Sequence, residues 1–480
     1  MKIEEHYNLA KDNLNGRLFA PYQREGVLWM LTMENQESGP KGGFLCDEMG
    51  LGKTVQVVST MLGNPQKSTL IIVPKSIITQ WVNEIAKFAP QMSVHVFDGP
   101  DRKLKEADVV IMPYSLLSTH EDTPIHKKNW DRVILDEAHE IRNKKSKLFK
   151  SVYRINSAIK WIVTGTPVFN SMEDFVSLCH FLGIDKALVQ GMTNKIKDIY
   201  ILRRTKDDLA KINERLRLPN CYFENVELDM FPEEKSLYEF VFLEAQDIIK
   251  DAFKNAQSLN SKNMVILECL LRARQCMIWP QMYLNGVGMK NGTKPTKWEG
   301  RSNKMETLFR MIQEHPKEKS LIFCQFRGEM NYIQSQLDCP VFRIDGSVPK
   351  EERVRQINAF KNAAPGAVFI IQIKSGGQGL NLQDATRVYI TAPAWNPATE
   401  LQAIGRSHRT GQTQAVYVKK LVYKECPRFV SVEEEMMALQ GHKSIVCSEV
   451  LNDDRVKTQI PVNRTTAKIS ILDIKNIFRA

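Results

Sequence analysis

Three short segments of this 480-residue chain carry residue types that could handle a nucleoside triphosphate. The first, DEMGLGKT (Asp47–Thr54), closes on Gly-Lys-Thr. Gly50 and Gly52 permit tight turns that aim backbone N–H groups at phosphate oxygens. Lys53 can then reach the β- and γ-phosphates, and the Thr54 hydroxyl can ligate Mg2+. The strict phosphate-loop pattern has glycine where this chain has Asp47, and a bare Gly-Lys-Thr also opens ordinary helices. The second segment, ILDEAH, puts Asp136 and Glu137 at the end of an apolar run. Asp136 can hold Mg2+, and Glu137 can orient or deprotonate an attacking water. A solvated helix cap is the plainer reading of such a pair, and it loses ground when the pair lies downstream of Gly-Lys-Thr. The third segment is QAIGRSHRTGQ (Gln402–Gln412). On a helix, the spacing of Arg406 and Arg409 puts both guanidinium groups on one face. Such a pair can neutralise charge on a transferring phosphoryl group; alone, it would read as an exposed basic helix. Phosphate cradle, metal-carboxylate pair and distant arginine pair follow in the order that a two-lobed ATP motor needs, with ATP closing the lobes and hydrolysis releasing them.

The elements that must position these residues are legible as alternating apolar runs and amphipathic stretches. In the first half the runs are TLIIVP (Thr69–Pro74), VVIMP (Val109–Pro113), RVILDE (Arg132–Glu137) and KWIVTGTP (Lys160–Pro167). Continuous apolar runs joined by helices predict a parallel sheet covered on both faces, with ligands at the carboxyl ends of its strands. Within residues 226–300, EEKSLYEFVFLEAQDIIKDAFKNAQ and NMVILECLLRARQCMIW have helical spacing, and the GVGMKNGTKPTKWEGRSNK after them reads as a surface linker. A second set of runs follows: KSLIFCQF (Lys319–Phe326), CPVFRIDG (Cys339–Gly346), AVFIIQI (Ala367–Ile373), TRVYITAP (Thr386–Pro393) and VYVKKLVY (Val416–Tyr423). The expected fold is α/β, with an N-terminal lobe over 1–225, a helical insertion and linker over 226–300, a C-terminal lobe over 301–425, and a closing helix and tail over 426–480.

Bulk properties narrow the class. The chain is 43% hydrophobic and 25% charged, ordinary for a folded protein of two or three domains. No run of eighteen apolar residues spans a membrane, and the mixed-charge MKIEEHYNLAKDN is unlike a signal peptide. A net charge of +11 and a pI near 9.0 favour a polyanionic partner, although a basic solvated surface gives the same numbers. The nine cysteines are dispersed without a C-x-x-C pair, as in a reduced intracellular protein, and offer no zinc-site spacing. Cys269 and Cys276, seven apart, read as one packing face of a helix. Trp29, Trp81 and Trp161 read as core.

Taken together, the segments resemble superfamily 2 helicase-type ATPases, and within them the Swi/Snf-like double-stranded DNA translocases. PYQREGVLWM (Pro21–Met30) resembles the family's adenine-recognising segment, which implies that Gln23 contacts the base. LIIVPKSIITQW resembles motif Ia, DEAH motif II, and TGTP (Thr164–Pro167) motif III. ILRRTKDDL (Ile201–Leu209) resembles the LRRTK element, LIFCQF motif IV, and IDGSVPKEER the DGS element. SGGQGLNL (Ser375–Leu382) resembles motif V, and WNPATELQAIGRSHRTGQ motif VI. SVEEEMMALQGHK resembles the family's bracing helix. The likeness covers residues 17–450. The departures are Phe169 where Gln is usual, Gln372-Ile373 before motif V, and Met112-Pro113-Tyr114 before the acid pair; none touches phosphate chemistry.

The resemblance implies two RecA-like lobes with parallel sheets, helical insertions between them in sequence, and a C-terminal bracing helix. ATP would be held by Gln23, Gly50, Gly52, Lys53, Thr54, Gly379 and Gln402, and Mg2+ by Thr54 and Asp136. Catalysis would fall to Lys53, Asp136, Glu137, Arg406 and Arg409. By motif position, Lys75, Ser76, Tyr114, Gln325, Gly346, Ser347, Lys374 and Ser375 would touch a DNA backbone, bound without regard to sequence; each also reads as an ordinary loop residue. The basic run Asn143–Lys147 either touches DNA or solvates a helix. The expected partner is double-stranded DNA, with nucleosomes or transcription and repair complexes beside it, in the nucleus or a viral compartment. The near-bare core is also typical of homologues in large DNA viruses. Two other readings stand beside this one: a strand-separating helicase of the same superfamily, and a nucleic-acid-binding scaffold that holds ATP without hydrolysing it.

Overall fold

The computed structural model describes residues 2–18, 21–99, 103–119, 123–165, 172–212, 218–255, 259–374, 380–409, 411–424, 430–451 and 477–478. Its main segments form two compact units, Met1–Arg217 and Leu218–Ser444.

The first unit is built on a seven-stranded sheet of β1 (Lys41–Leu45), β2 (Thr69–Val73), β3 (Val94–Val96), β4 (Val109–Pro113), β5 (Trp130–Asp136), β6 (Ser157–Val163) and β7 (Ile201–Leu202). The strand order is β3-β4-β2-β5-β6-β1-β7, and every pairing is parallel. β2 and β4 are buried along their whole length, as strands with helices on both faces must be. β1 is glycine-rich for a steric reason. Gly42 has φ +114°, and a Cβ there would lie 1.8 Å from the Lys160 carbonyl oxygen of β6. A fully buried ion pair lies within this core. Arg132 on β5 grips Glu34 through Nε at 2.7 Å and Nη2 at 2.5 Å, and the Trp161 indole donates to the same carboxylate at 2.8 Å. Trp29 packs edge-on against Trp161.

The second unit carries a six-stranded parallel sheet of β8 (Cys221–Leu228), β9 (Ser320–Cys324), β10 (Val341–Ile344), β11 (Val368–Gln372), β12 (Arg387–Ile390) and β13 (Val416–Tyr423), in the order β10-β11-β9-β12-β13-β8. β8 pairs with β13 over its full length. The strand that the sequence left on either side of residue 225 therefore belongs wholly to the second unit. Its CYFENVEL is a sheet edge, and its first residues lie exposed, so no continuous apolar run announces it. Helices Pro232–Asn255, Leu259–Ile278 and Pro280–Asn291 share a core with this sheet. The last of them absorbs GVGMKN, which had read as linker. Gly286 lies against the Arg272 guanidinium: a Cβ there would meet Nη1 at 1.7 Å unless that side chain moved. Cys269 and Cys276 are both buried in that core, and burial pushes both thiols up. The closing helix runs Val432–Leu451. Its Glu433 forms an ion pair with Lys304 inside the unit, both side chains being 1% exposed.

Candidate nucleotide site and arginine turn

The phosphate loop leaves β1 at Leu45 and ends at the N-terminus of the helix Lys53–Gly63. Gly50 has φ +89°, and Gly52, which caps the helix, has φ +72°. A side chain at Gly52 would be strained by that φ, and its Cβ would meet Gln23 Nε2 at 2.4 Å. Lys53 and Thr54 are the first two residues of the helix, where N–H groups without intrahelical partners and the helix dipole favour an anion. The Lys53 ammonium donates to the Asp47 carbonyl at 2.8 Å and to the Glu48 carbonyl at 3.3 Å. Burial lowers its pKa, and the nearby charges of Asp47, Glu137 and Asp136 oppose that shift. The lysine and the acid pair thus face each other at the carboxyl ends of β1 and β5. Gly165, after β6, closes the site from a third strand: a Cβ there would lie 2.8 Å from Lys53 Nζ.

The acid pair is held from several sides. Asp136 Oδ2 accepts from the Trp81 indole at 2.8 Å, and Oδ1 accepts from the Glu137 N–H at 2.9 Å. The Tyr114 hydroxyl donates to the Asp136 carbonyl at 2.9 Å. Burial, then the charge of Glu137, push the Asp136 carboxyl up to about 7. Glu137 is the single non-glycine residue with positive φ among the described residues, at +53°, a conformation that stores strain at functional sites. The Thr164 hydroxyl donates to its Oε2 at 3.2 Å. Two partly buried carboxylates beside a hydroxyl make a set of hard oxygen donors. Among the described residues no group of three or more His, Cys, Asp or Glu converges. The Asp136 carboxylate would suit Mg2+, which is usually bound through one or two protein carboxylates. Gln23 lies over the loop, its Nε2 donating to Leu51 O at 3.2 Å, while the Tyr22 hydroxyl donates to the same carbonyl at 3.1 Å.

The DNA-contact candidates divide in two. Lys75 and Ser76 are exposed in the turn Lys75–Ile77 after β2, with Lys75 paired to Asp98 at 3.1 Å. Gly346 and Ser347 are exposed after β10, where Ser347 N–H and hydroxyl both donate to Asp345 Oδ1. Lys374 is exposed beyond β11. Tyr114 and Gln325 instead turn inward, at 4% and 9% exposure. Tyr114 serves Asp136, and Gln325 Nε2 donates to the Ala392 carbonyl at 3.1 Å. Ser375 and Gly379 lie outside the described residues.

The arginine pair departs from the expected helix. The helix Pro397–Ile404, which carries a partly buried Gln402, stops at Gly405. Arg406 and Arg409 follow in a turn, not on one helical face. The Ser407 hydroxyl donates to the Ala385 carbonyl, and Gln412 Nε2 donates to the Gln383 carbonyl at 2.8 Å. These bonds draw the turn against the sheet and hold Arg406 at 4% exposure. Sequence reasoning also missed Trp81 as a partner of Asp136. A tryptophan within motif Ia, at the helical position that faces the next strand, was the available signal.

Residues 22–192 match the family description SNF2-related domain, and residues 303–411 match Helicase conserved C-terminal domain. The ISWI chromatin-remodeling complex ATPase ISW1 of Saccharomyces cerevisiae is 27% identical over 98% of this chain and 44% of its own length. A probable global transactivator of Orgyia pseudotsugata multicapsid polyhedrosis virus is 28% identical over 90% of this chain and 91% of its own. The chain spans less than half the length of several curated relatives, 44% to 49%. Among solved structures, the Sulfolobus solfataricus SWI2/SNF2 ATPase core in complex with dsDNA is 28% identical over 92% of this chain and 95% of that one, with a TM-score of 0.41.

Proposed function

Because the chain belongs to the Swi/Snf-like family of superfamily 2 helicase-type ATPases, we propose that it is an ATP-driven motor that tracks duplex DNA and remodels or displaces bound protein. What supports this reading is that the Lys53 ammonium lies 2.8 Å from the Cβ position of Gly165, next to Thr164, whose hydroxyl donates to Glu137 at 3.2 Å. Lys53 exchanges two carbonyl oxygens for phosphate oxygens. Gly50 and Gly52 let the loop's N–H groups follow the phosphate chain. Gln23, beside Leu51, reads the base, and Gln402 and Gly379 complete the nucleotide contacts by motif position. Thr54 and Asp136 would hold Mg2+, whose charge would offset the crowding of the two carboxylates. Glu137, held by Thr164 and by its own strained backbone, orients the attacking water. Arg406 and Arg409 neutralise charge on the phosphoryl group in transfer.

Lys75, Ser76, Gly346, Ser347, Lys374 and Ser375 contact the DNA backbone, which makes binding salt-sensitive and sequence-blind. The net charge of +11 supports a polyanionic track. Nucleosomes, transcription complexes and repair complexes are the obstacles that such a motor meets, in a nucleus or a viral compartment.

The test is ATP hydrolysis measured side by side with duplex DNA, single-stranded DNA, RNA and nucleosomes. Strong stimulation by duplex, abolished in Lys53→Ala and Glu137→Gln, is expected. Equal stimulation by single strands together with strand separation would replace the reading by an unwinding helicase. Tight ATP binding without turnover would replace it by a scaffold.

A further inference from the structure

Asp47 stands where phosphate loops have glycine, and Ile201–Lys206 lies far along the chain from it; in the fold the two are neighbours. β7 pairs with Phe44 and Leu45 of β1, and the pairing continues beyond both strands. Cys46 N–H donates to the Leu202 carbonyl at 2.8 Å, and Glu48 N–H donates to the Arg204 carbonyl at 2.9 Å. Three side chains of the later segment, those of Arg203, Arg204 and Lys206, then grip the loop. Arg203 Nη1 donates to the Cys46 carbonyl at 2.8 Å and to the Gly165 carbonyl at 3.1 Å. The Lys206 ammonium pairs with Glu48 at 3.1 Å.

Arg204 makes the densest set of contacts. Its Nε donates to Asp47 Oδ1 at 2.9 Å, its Nη2 to Asp47 Oδ2, and its backbone N–H to Oδ1 at 3.1 Å. Nη2 also donates to Gln56 Oε1 at 2.8 Å, and Nη1 donates to the Tyr22 carbonyl. Gln56 in turn donates to Asp47 Oδ2 at 3.1 Å. The Asp47 side chain is fully buried and that of Arg204 is 12% exposed. Gly26, on the helix Pro21–Asn35, makes room for this node. A Cβ there would fall 1.8 Å from Gln56 Oε1 and 2.6 Å from Arg204 Nη2. Glycine weakens a helix interior, so its presence there marks a demand for space.

We infer that Arg204 is a positioning residue for the nucleotide phosphates: by gripping Asp47, Gln56 and the Tyr22 carbonyl, it fixes the loop in the form that presents Lys53 to a triphosphate. The loop's shape here does not need glycine at residue 47, whose φ lies outside the left-handed region. A buried side-chain anchor takes that place. Its fork geometry is specific to arginine, since two parallel N–H groups meet two carboxylate oxygens. A loop fixed before binding spares the ligand the entropy of ordering it, so the effect belongs in affinity more than in turnover.

The inference rests on the nucleotide reading above, and its test separates the two. The full chain and its Arg204→Ala variant are titrated with mant-ADP in Mg2+, and ATP hydrolysis is measured on duplex DNA. The variant is expected to raise the mant-ADP Kd and the ATP KM by about tenfold or more. Its kcat at saturating ATP should stay within about threefold of wild type, and its affinity for fluorescein-labelled duplex should not change. Arg204→Lys, which keeps the charge and loses the fork, is expected to fall between the two. A folded Arg204→Ala protein with wild-type mant-ADP affinity overturns the inference, as does a loss confined to kcat. Should Arg204→Ala fail to fold, Asp47→Asn decides in its place: a raised Kd supports the anchor, and an unchanged one overturns it. A wild-type chain that binds no mant-ADP sinks the nucleotide reading itself.

Discussion

The Trp81 indole N–H donates to Asp136 Oδ2 across 2.8 Å, so a motif Ia residue fixes one oxygen of the proposed metal ligand. A hydrogen bond to a charged group contributes about 1.5–3 kcal/mol. Trp81→Phe keeps most of the buried ring and removes the donor. The half-saturating Mg2+ concentration for ATP hydrolysis should rise by about tenfold, with smaller change in the ATP KM measured at high Mg2+. Titration of activity against Mg2+ checks this; an unshifted curve would show that the bond leaves Asp136 indifferent to its donor.

Glu137 sets stability against turnover. Its φ of +53° is costly for a glutamate, and asparagine tolerates this region better. Glu137→Asn should therefore melt no lower than wild type while hydrolysis falls by about 10²- to 10⁴-fold. Calorimetry and a phosphate-release assay on one preparation would reveal the opposition. A variant that lost stability together with activity would contradict the strain argument.

The Lys304–Glu433 pair joins the helix Asn303–Gln313 to the closing helix, with both side chains 1% exposed. Removing one partner of such a pair leaves a buried charge and costs about 3–5 kcal/mol, whereas replacing both with apolar groups is often neutral. Lys304→Met should destabilise the second unit by that amount, and Lys304→Met with Glu433→Leu should recover most of it. Chemical denaturation of both variants tests the pairing; equal losses in the two would point to packing rather than charge.

Glu329 supplies a pH dependence with a defined sign. Burial pushes its carboxyl up from 4.5 to about 7, while Oε1 accepts the Phe326 N–H at 2.7 Å as a helix cap. The folded state binds the proton more tightly than the unfolded one. The stability held through the protonated form is complete below pH 4.5 and is lost as pH rises through about 7. Glu329→Gln, neutral throughout, should match wild type near pH 5 and exceed it at pH 8, by at most about 3 kcal/mol. Denaturation midpoints at the two pH values provide the measurement, and parallel pH curves would rule the effect out.

Both sheets were largely legible in the sequence because their central strands are buried on two faces and write themselves as uninterrupted apolar runs, as TLIIV and VVIMP do. β1 was not, because Gly42 and Gly43 are set by how closely the neighbouring backbones approach, and glycine reads as a turn when the neighbour is unknown. β8 was missed for a different reason: an edge strand need not be apolar. Lys53, Asp136 and Glu137 could be proposed from sequence because phosphate chemistry restricts residue type and spacing. Trp81 and Arg204 bond to partners far away in the chain, Asp136 and Asp47, and no local spacing encodes such pairs. Tyr114 and Gln325 were named from motif position alone, and the fold gives their polar atoms partners within the protein.

β1 takes its neighbours from β6 and β7, the last strands of its sheet to be made. During synthesis the Gly-Lys-Thr segment therefore leaves the ribosome on the order of ten seconds before its scaffold is complete. Until Ile201–Lys206 emerges, the growing polypeptide has no finished cradle, and its own unpaired β1 edge is a place where misfolding could begin.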